Sequence, residues 1–161
     1  MEIERKFVIV RPPPDLEAFP KQAICQGYIA VTEDNTEVRV RSKGDRFYLT
    51  IKKGEGLARH EVELSLGQSQ FDQLWSLTAG RRIEKTRYAI SINDHCIELD
   101  IYHSFEQAFI TAEVEFQSVT ESEEFKPPDW FGPEVTEDSR YKNKNLALHG
   151  PPDWEQKTAS A

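Results

Sequence analysis

Glu2-Ile3-Glu4-Arg5-Lys6-Phe7-Val8 is the stretch that decides how the rest of the chain is read. With the period of two that a β-strand imposes, Glu2, Glu4 and Lys6 point one way while Ile3 and Phe7 point the other. Residues two apart on a strand sit roughly 6.5–7 Å apart, where two carboxylates repel by about 0.6 kcal/mol in water and several-fold more at lower dielectric. Such a face asks for a cation, unless the segment is a solvated edge strand carrying an accidental charge run.

The same alternation recurs down the chain. Strands are expected over residues 26–32, 36–42, 47–52, 61–64, 84–92, 96–102 and 110–117, each setting aliphatics against polar or charged residues. The turn residues Asp34-Asn35, Lys43-Gly44-Asp45 and Asn93-Asp94 link neighbouring runs as hairpins. Opposite the aliphatics stand same-sign pairs: Glu2/Glu4, Arg39/Arg41, Glu61/Glu63, Lys85/Arg87, Glu98/Asp100 and Glu113/Glu115. A solvated β-face usually mixes Thr, Ser, Gln and alternating charges, because like charges side by side cost energy and add nothing to the fold. The pattern therefore predicts a mainly β fold with flanking helices (α+β): a closed eight-stranded antiparallel barrel with a charged interior and its aliphatic faces outward under helices. The alternative is an open antiparallel sheet with a polar outer side.

Between Gly67 and Gly80, Phe71, Leu74, Trp75 and Thr78 recur at helical spacing and predict the one long helix. A single turn is expected over 15–19 and a second helix over 140–149, ending at Gly150. The prolines near residues 127, 133 and 151 predict short helices and loops wrapped around a single domain of residues 1–150, with 151–161 as a tail.

Composition narrows the function. A net charge of −8 and a pI near 5.1 disfavour nonspecific binding to nucleic acid or to an anionic membrane, and leave room for a local basic pocket. Cys25 and Cys96 are the only cysteines and have no ligand spacing, so they read as free thiols in a reducing compartment. With no apolar run long enough for a bilayer, the expected location is cytoplasmic. Clusters of Arg and Lys bind phosphate oxygens, and Asp/Glu clusters without His or Cys suit a hard cation, Mg²⁺ or Mn²⁺. A metal with a polyphosphate bridges the two sets.

Glu2-Ile3-Glu4-Arg5-Lys6 also fits a Glu-x-Glu-x-Lys signature, followed in order by Arg39-x-Arg41, Lys52, Glu61-x-Glu63, Lys85-x-Arg87, Glu98-x-Asp100 and Glu113-x-Glu115. In these features the chain resembles the CYTH superfamily, or triphosphate tunnel metalloenzymes, and its length resembles the small bacterial inorganic triphosphatases. The resemblance implies metal ligation by Glu2, Glu4, Asp100, Glu113 and Glu115, with Glu61, Glu63 and Glu98 completing the shell or holding a second ion. It implies that Lys6, Arg39, Arg41, Lys52, Lys85 and Arg87 grip phosphates. Lys142 or Lys144 would add a cation from a carboxy-terminal element that folds back, unless both are surface lysines.

The implied reaction is metal-dependent hydrolysis of a small-molecule triphosphate, foremost tripolyphosphate, with water attacking the terminal phosphorus. Lys52 is the expected base, its proton loosened by Lys6, Arg39 and Arg41, and Tyr28 from the same face would orient it. An adenylyl cyclase and a thiamine triphosphatase share the scaffold; Glu37 stands where the latter tends to carry an aromatic. A non-catalytic polyphosphate- or nucleotide-binding module is the alternative from another class. Any part of the outer aliphatic face left uncovered would favour a homodimer.

Overall fold

The structure, a computed structural model, describes residues 3–54 and 60–152. Eight strands run in chain order as β1 Ile3–Val8, β2 Lys21–Val31, β3 Glu37–Lys43, β4 Arg46–Lys53, β5 His60–Leu66, β6 Arg82–Ile92, β7 His95–Tyr102 and β8 Phe109–Phe116. Three α-helices accompany them among the described residues: α1 Gln68–Trp75, α2 Val119–Glu124 and α3 Asn143–His149. All strand pairs are antiparallel, in the order β1-β8-β7-β6-β2-β3-β4-β5.

The mainly β architecture and its eight strands follow the alternation, but the sheet is not closed: among the described residues β1 and β5 end the order without pairing. The free edge of β1 is taken by an aperiodic segment. Val8 donates its amide to the Pro133 carbonyl (2.9 Å), Gly132 donates to Val8 (2.9 Å) and Val135 donates to Lys6 (2.8 Å). Gly132 permits this approach, since a Cβ there would lie 2.3 Å from the Val8 carbonyl oxygen. Arg5 fastens the same segment through Nε and Nη2 to the Glu134 carboxylate (2.9 and 2.7 Å) and through Nη1 to the carbonyls of Ser122 and Phe125.

The aliphatic faces lie outside the curve. Over β1, β8, β7 and β6 they form a core of Phe7, Tyr88, Ile90, Ile97, Leu99, Val114 and Phe116, covered by Leu16, Phe125, Trp130 and Phe131. Each such side chain, when fully buried, contributes roughly 1.5–3 kcal/mol. A second cluster of Tyr28, Ile83, Tyr102, Phe109, Tyr141 and Leu146 anchors α3. On β4 and β5 the cover gives out, leaving Ile51, Val62 and Leu64 36 %, 52 % and 51 % exposed.

Helix boundaries differ from the expected ones for local reasons. α1 stops at Trp75 and passes into a 3-10 turn over Ser76–Thr78. The expected helix over 140–149 begins only at Asn143, because Lys142 is extended (ψ 143°) after a 3-10 turn at Ser139–Tyr141. α2 had no separate expectation, yet its Ser118-x-x-Glu121 pattern is a capping signature: the Ser118 hydroxyl accepts from the Glu121 amide (3.0 Å) and the Glu121 carboxylate accepts from the Gln117 amide (3.1 Å). No helix among the described residues is long and apolar enough to cross a membrane.

Candidate functional site

The polar faces of all eight strands line one cavity of about 580 Å³. The cations of its lining are Lys6 from β1, Arg39 and Arg41 from β3, Lys52 from β4 and Arg87 from β6, with Lys142 and Lys144 added by the segment that crosses from the β1 edge. Interleaved with them are the acids Glu4, Glu61, Glu63, Glu98, Glu113 and Glu115, together with Glu37 and Asp138. Glu2, expected among the metal ligands, lies outside the described residues.

Register fixes which of these face one another. Glu4 lies directly across from Glu115, and Glu113 sits between Lys6 on one side and Glu98 on the other. Side chains so opposed have Cβ atoms about 4.5–5.5 Å apart, so two carboxylate pairs are held together by the ladder itself. Across the cavity Arg39 and Arg41 alternate along β3, and Arg41 Nη2 reaches Glu63 Oε1 at 3.5 Å. The Nε atoms of Arg39 and Arg41 are buried and have no hydrogen-bond partner. A buried guanidinium N–H left unmade is costly, so both await an acceptor. Burial, and next the neighbouring Arg39, holds the Arg41 guanidinium below its ordinary pKa. Burial likewise lowers the pKa of Lys6, whose Nζ donates to the Tyr141 carbonyl (2.6 Å).

Lys52 does not stand only among cations. Glu37 and Glu61 are its direct cross-strand partners on β3 and β5, so carboxylates stand around it in the lining together with Lys6, Arg39 and Arg41. Tyr28 lines the cavity although it is 0 % exposed, and its hydroxyl accepts from Gln26 Nε2 at 2.8 Å.

Lys85 and Asp100 share the charged face but lie beneath the cavity wall, 3 % and 5 % exposed. Lys85 Nζ meets Asp100 Oδ2 at 2.8 Å, and Arg87 spans both Asp100 oxygens through Nε (2.8 Å) and Nη2 (3.0 Å). Arg87 Nη1 also meets Glu98 Oε2 at 2.8 Å. Burial alone would raise the Asp100 pKa; Lys85 and Arg87 outweigh it and hold the carboxylate below its usual range. The same contacts outweigh burial at Arg87 and hold its guanidinium charged.

Some lining residues had no assigned role in the sequence reading. Glu37 continues the Arg39/Arg41 alternation and was legible there; Thr136 and Asp138 arrive from aperiodic chain and were not, while Asn143 is the first residue of α3. Among the described residues no three acidic, His or Cys side chains form a ready-made metal cage. The donor set nevertheless fits a hard divalent cation: the wall offers carboxylate oxygens, with neither His nor Cys among its described members, and Mg²⁺ keeps several waters while taking one or two carboxylates.

The site can be compared with known proteins. An inorganic triphosphatase of Nitrosomonas europaea is 44% identical over 152 residues, 93% of this chain and 99% of that protein. One of Acetivibrio thermocellus is 34% identical over 151 residues, 90% and 92% of the two chains. The crystal structure of the inorganic triphosphatase NE1496 matches with a TM-score of 0.78 at 40% identity, covering 94% of this chain and 97% of that one. The CYTH domain model matches residues 1–149, nearly the whole chain, and with that span and these relatives the protein belongs to the CYTH domain family.

Proposed function

We propose that this protein is an inorganic triphosphatase that hydrolyses tripolyphosphate to pyrophosphate and phosphate with the help of a divalent cation, Mg²⁺ or Mn²⁺. The observation that carries the reading is the pairing, in one cavity, of buried Arg39 and Arg41 Nε atoms lacking acceptors with carboxylates opposed across the β1–β8 and β7–β8 ladders. The arginines call for an anion rich in oxygen acceptors, and the carboxylates would repel that anion unless a cation stood between them. The relatives' names support the choice of substrate.

In this reading Arg39, Arg41, Arg87 and Lys6 hold the phosphate chain, joined at the mouth by Lys142 from the crossing segment. Hydrogen bonds from fixed guanidinium groups favour the charge that builds on the phosphoryl oxygens as the bridging bond breaks. Glu4, Glu98, Glu113 and Glu115, with Glu61 and Glu63 from β5, are the groups that would hold the cation. When bound, that cation supplies charge neutralisation and lowers the pKa of its water. Lys52 takes the proton from the attacking water, which adds to the terminal phosphorus as the pyrophosphate oxygen leaves, and Tyr28, in the same lining, directs it. Gln26 holds the Tyr28 hydroxyl in place.

Phosphate release from tripolyphosphate, ATP and thiamine triphosphate, each with Mg²⁺, Mn²⁺ or EDTA, tests the reading. Turnover of tripolyphosphate above the other two, abolished by EDTA, is the expected result. Binding of tripolyphosphate without release would leave a polyphosphate-binding module, and cyclic AMP formed from ATP a cyclase.

A further inference from the structure

The buried pair behind Arg87 invites a role of its own. Three contacts already occupy Asp100: Lys85 Nζ and Arg87 Nη2 on Oδ2, and Arg87 Nε on Oδ1. A carboxylate offers about four lone-pair sites, so the inventory is close to filled by protein alone. Lys85 is equally committed: it is 3 % exposed, ion-paired to Asp100, and its Nζ lies 5.3 Å over the ring of Tyr102, its cross-strand partner. Neither reaches the cavity wall, while Arg87 does. The ladder places Arg87 directly across from Asp100, so the two-point contact is built into the register of β6 and β7.

The arrangement acts on Arg87. A guanidinium has five N–H donors in a rigid fork. Asp100 takes Nε and one hydrogen of Nη2, Glu98 stands 2.8 Å from Nη1 as an ion pair, and both terminal nitrogens keep N–H groups that Asp100 does not use. Without Asp100 the side chain would regain its rotamers, and the fork would have to be ordered again at each binding event.

We propose that Lys85 and Asp100 are positioning residues, Asp100 locking the Arg87 fork at the cavity wall and Lys85 balancing Asp100 from behind, with neither touching phosphate or metal. This rests on the triphosphate reading of the cavity. It differs from what the family resemblance implies for the two residues, a phosphate grip for Lys85 and a metal contact for Asp100.

The test is a double-mutant cycle on the full chain. KM and kcat for tripolyphosphate, and the Mg²⁺ concentration for half-maximal activity, are measured for wild type, Asp100→Asn, Lys85→Met, Arg87→Ala and the two doubles with Arg87→Ala. Asp100→Asn is expected to raise KM about 10-fold or more, in the range usual for supporting partners. On the Arg87→Ala background neither Asp100→Asn nor Lys85→Met should raise KM further, because the group they position is gone. The Mg²⁺ half-activation point should stay within about two-fold of wild type; a role in stability alone would leave KM unchanged in the folded fraction.

A Mg²⁺ point moved ten-fold or more by Asp100→Asn overturns the proposal for Asp100 in favour of a metal ligand. A Lys85→Met effect that multiplies with Arg87→Ala overturns it for Lys85 in favour of phosphate contact. If Asp100→Asn does not fold, Lys85→Met and its double decide the question. Failure of the triphosphatase reading shows separately, as a wild-type protein that neither binds nor turns over tripolyphosphate.

Discussion

Glu4 and Glu115 are direct cross-strand partners on β1 and β8, two carboxylates that the backbone register holds face to face at the cavity wall. Like charges so opposed are destabilising by about 0.2–1 kcal/mol. Glu115→Gln should therefore raise the melting temperature in EDTA by about 1–4 °C for a chain of this size, while sharply lowering Mg²⁺-supported hydrolysis. Calorimetry beside a phosphate-release assay checks both. A variant less stable in EDTA would show that the carboxylates serve the fold.

Arg39 and Arg41 need their Nε atoms, not merely their charge. Arg41→Lys keeps the cation and loses the fork, so it should weaken tripolyphosphate binding about 10- to 100-fold, close to the loss from Arg41→Ala. Titration calorimetry with Mg²⁺ present, on a Lys52→Ala background that slows turnover, reads the affinity directly. Near-wild-type affinity in the lysine variant would mean that the site senses only charge.

Lys52 divides binding from chemistry. If it takes the proton from water, Lys52→Ala should cut kcat by about 10²-fold or more and move KM far less. A raised KM with intact kcat would return Lys52 to the phosphate-gripping set.

Arg5 and Glu134 set an acid limit on the strap along β1. The hydrogen bonds from Arg5 hold the Glu134 carboxyl below its ordinary 4.5, so the folded state favours the ionised form. The resulting stability is fully present above 4.5 and is lost as pH falls through the lowered folded value. Glu134→Gln should therefore exchange the Val135 amide faster than wild type near neutrality, and the difference should vanish in acid. Hydrogen exchange at Val135, whose amide bonds to Lys6, is the readout.

Gly132 is held by contact with backbone. Gly132→Ala places a Cβ 2.3 Å from the Val8 carbonyl oxygen and should destabilise by about 1–3 kcal/mol, as forced overpacking does. An unchanged melting temperature would mean that the strap shifts freely and does not protect the β1 edge.

What the sequence made legible, and what it did not, follows from the reach of each signal. Alternation has a period of two and marks a face, so Arg39, Glu63, Arg87, Glu98 and Glu113 could all be assigned to one lining. It carries no information on depth along the bore. Lys85 and Asp100 obey the same alternation as their neighbours, yet they fall where Tyr102 and the α3-anchoring cluster fill the space, and so they are buried. Closure was illegible for a related reason. A strand's own pattern cannot say what will take its free edge, and here residues 132–135, more than a hundred positions away and without periodicity, reach β1. Register was likewise out of reach at Lys52: its partners Glu37 and Glu61 sit on other strands, and their alignment with it depends on turn geometry.

The unjoined ends of the sheet make the molecule a jaw instead of a pipe. Among the described residues no ladder bond ties β5 to the strap along β1, so entry of a chain of phosphates from that side would break no strand pairing.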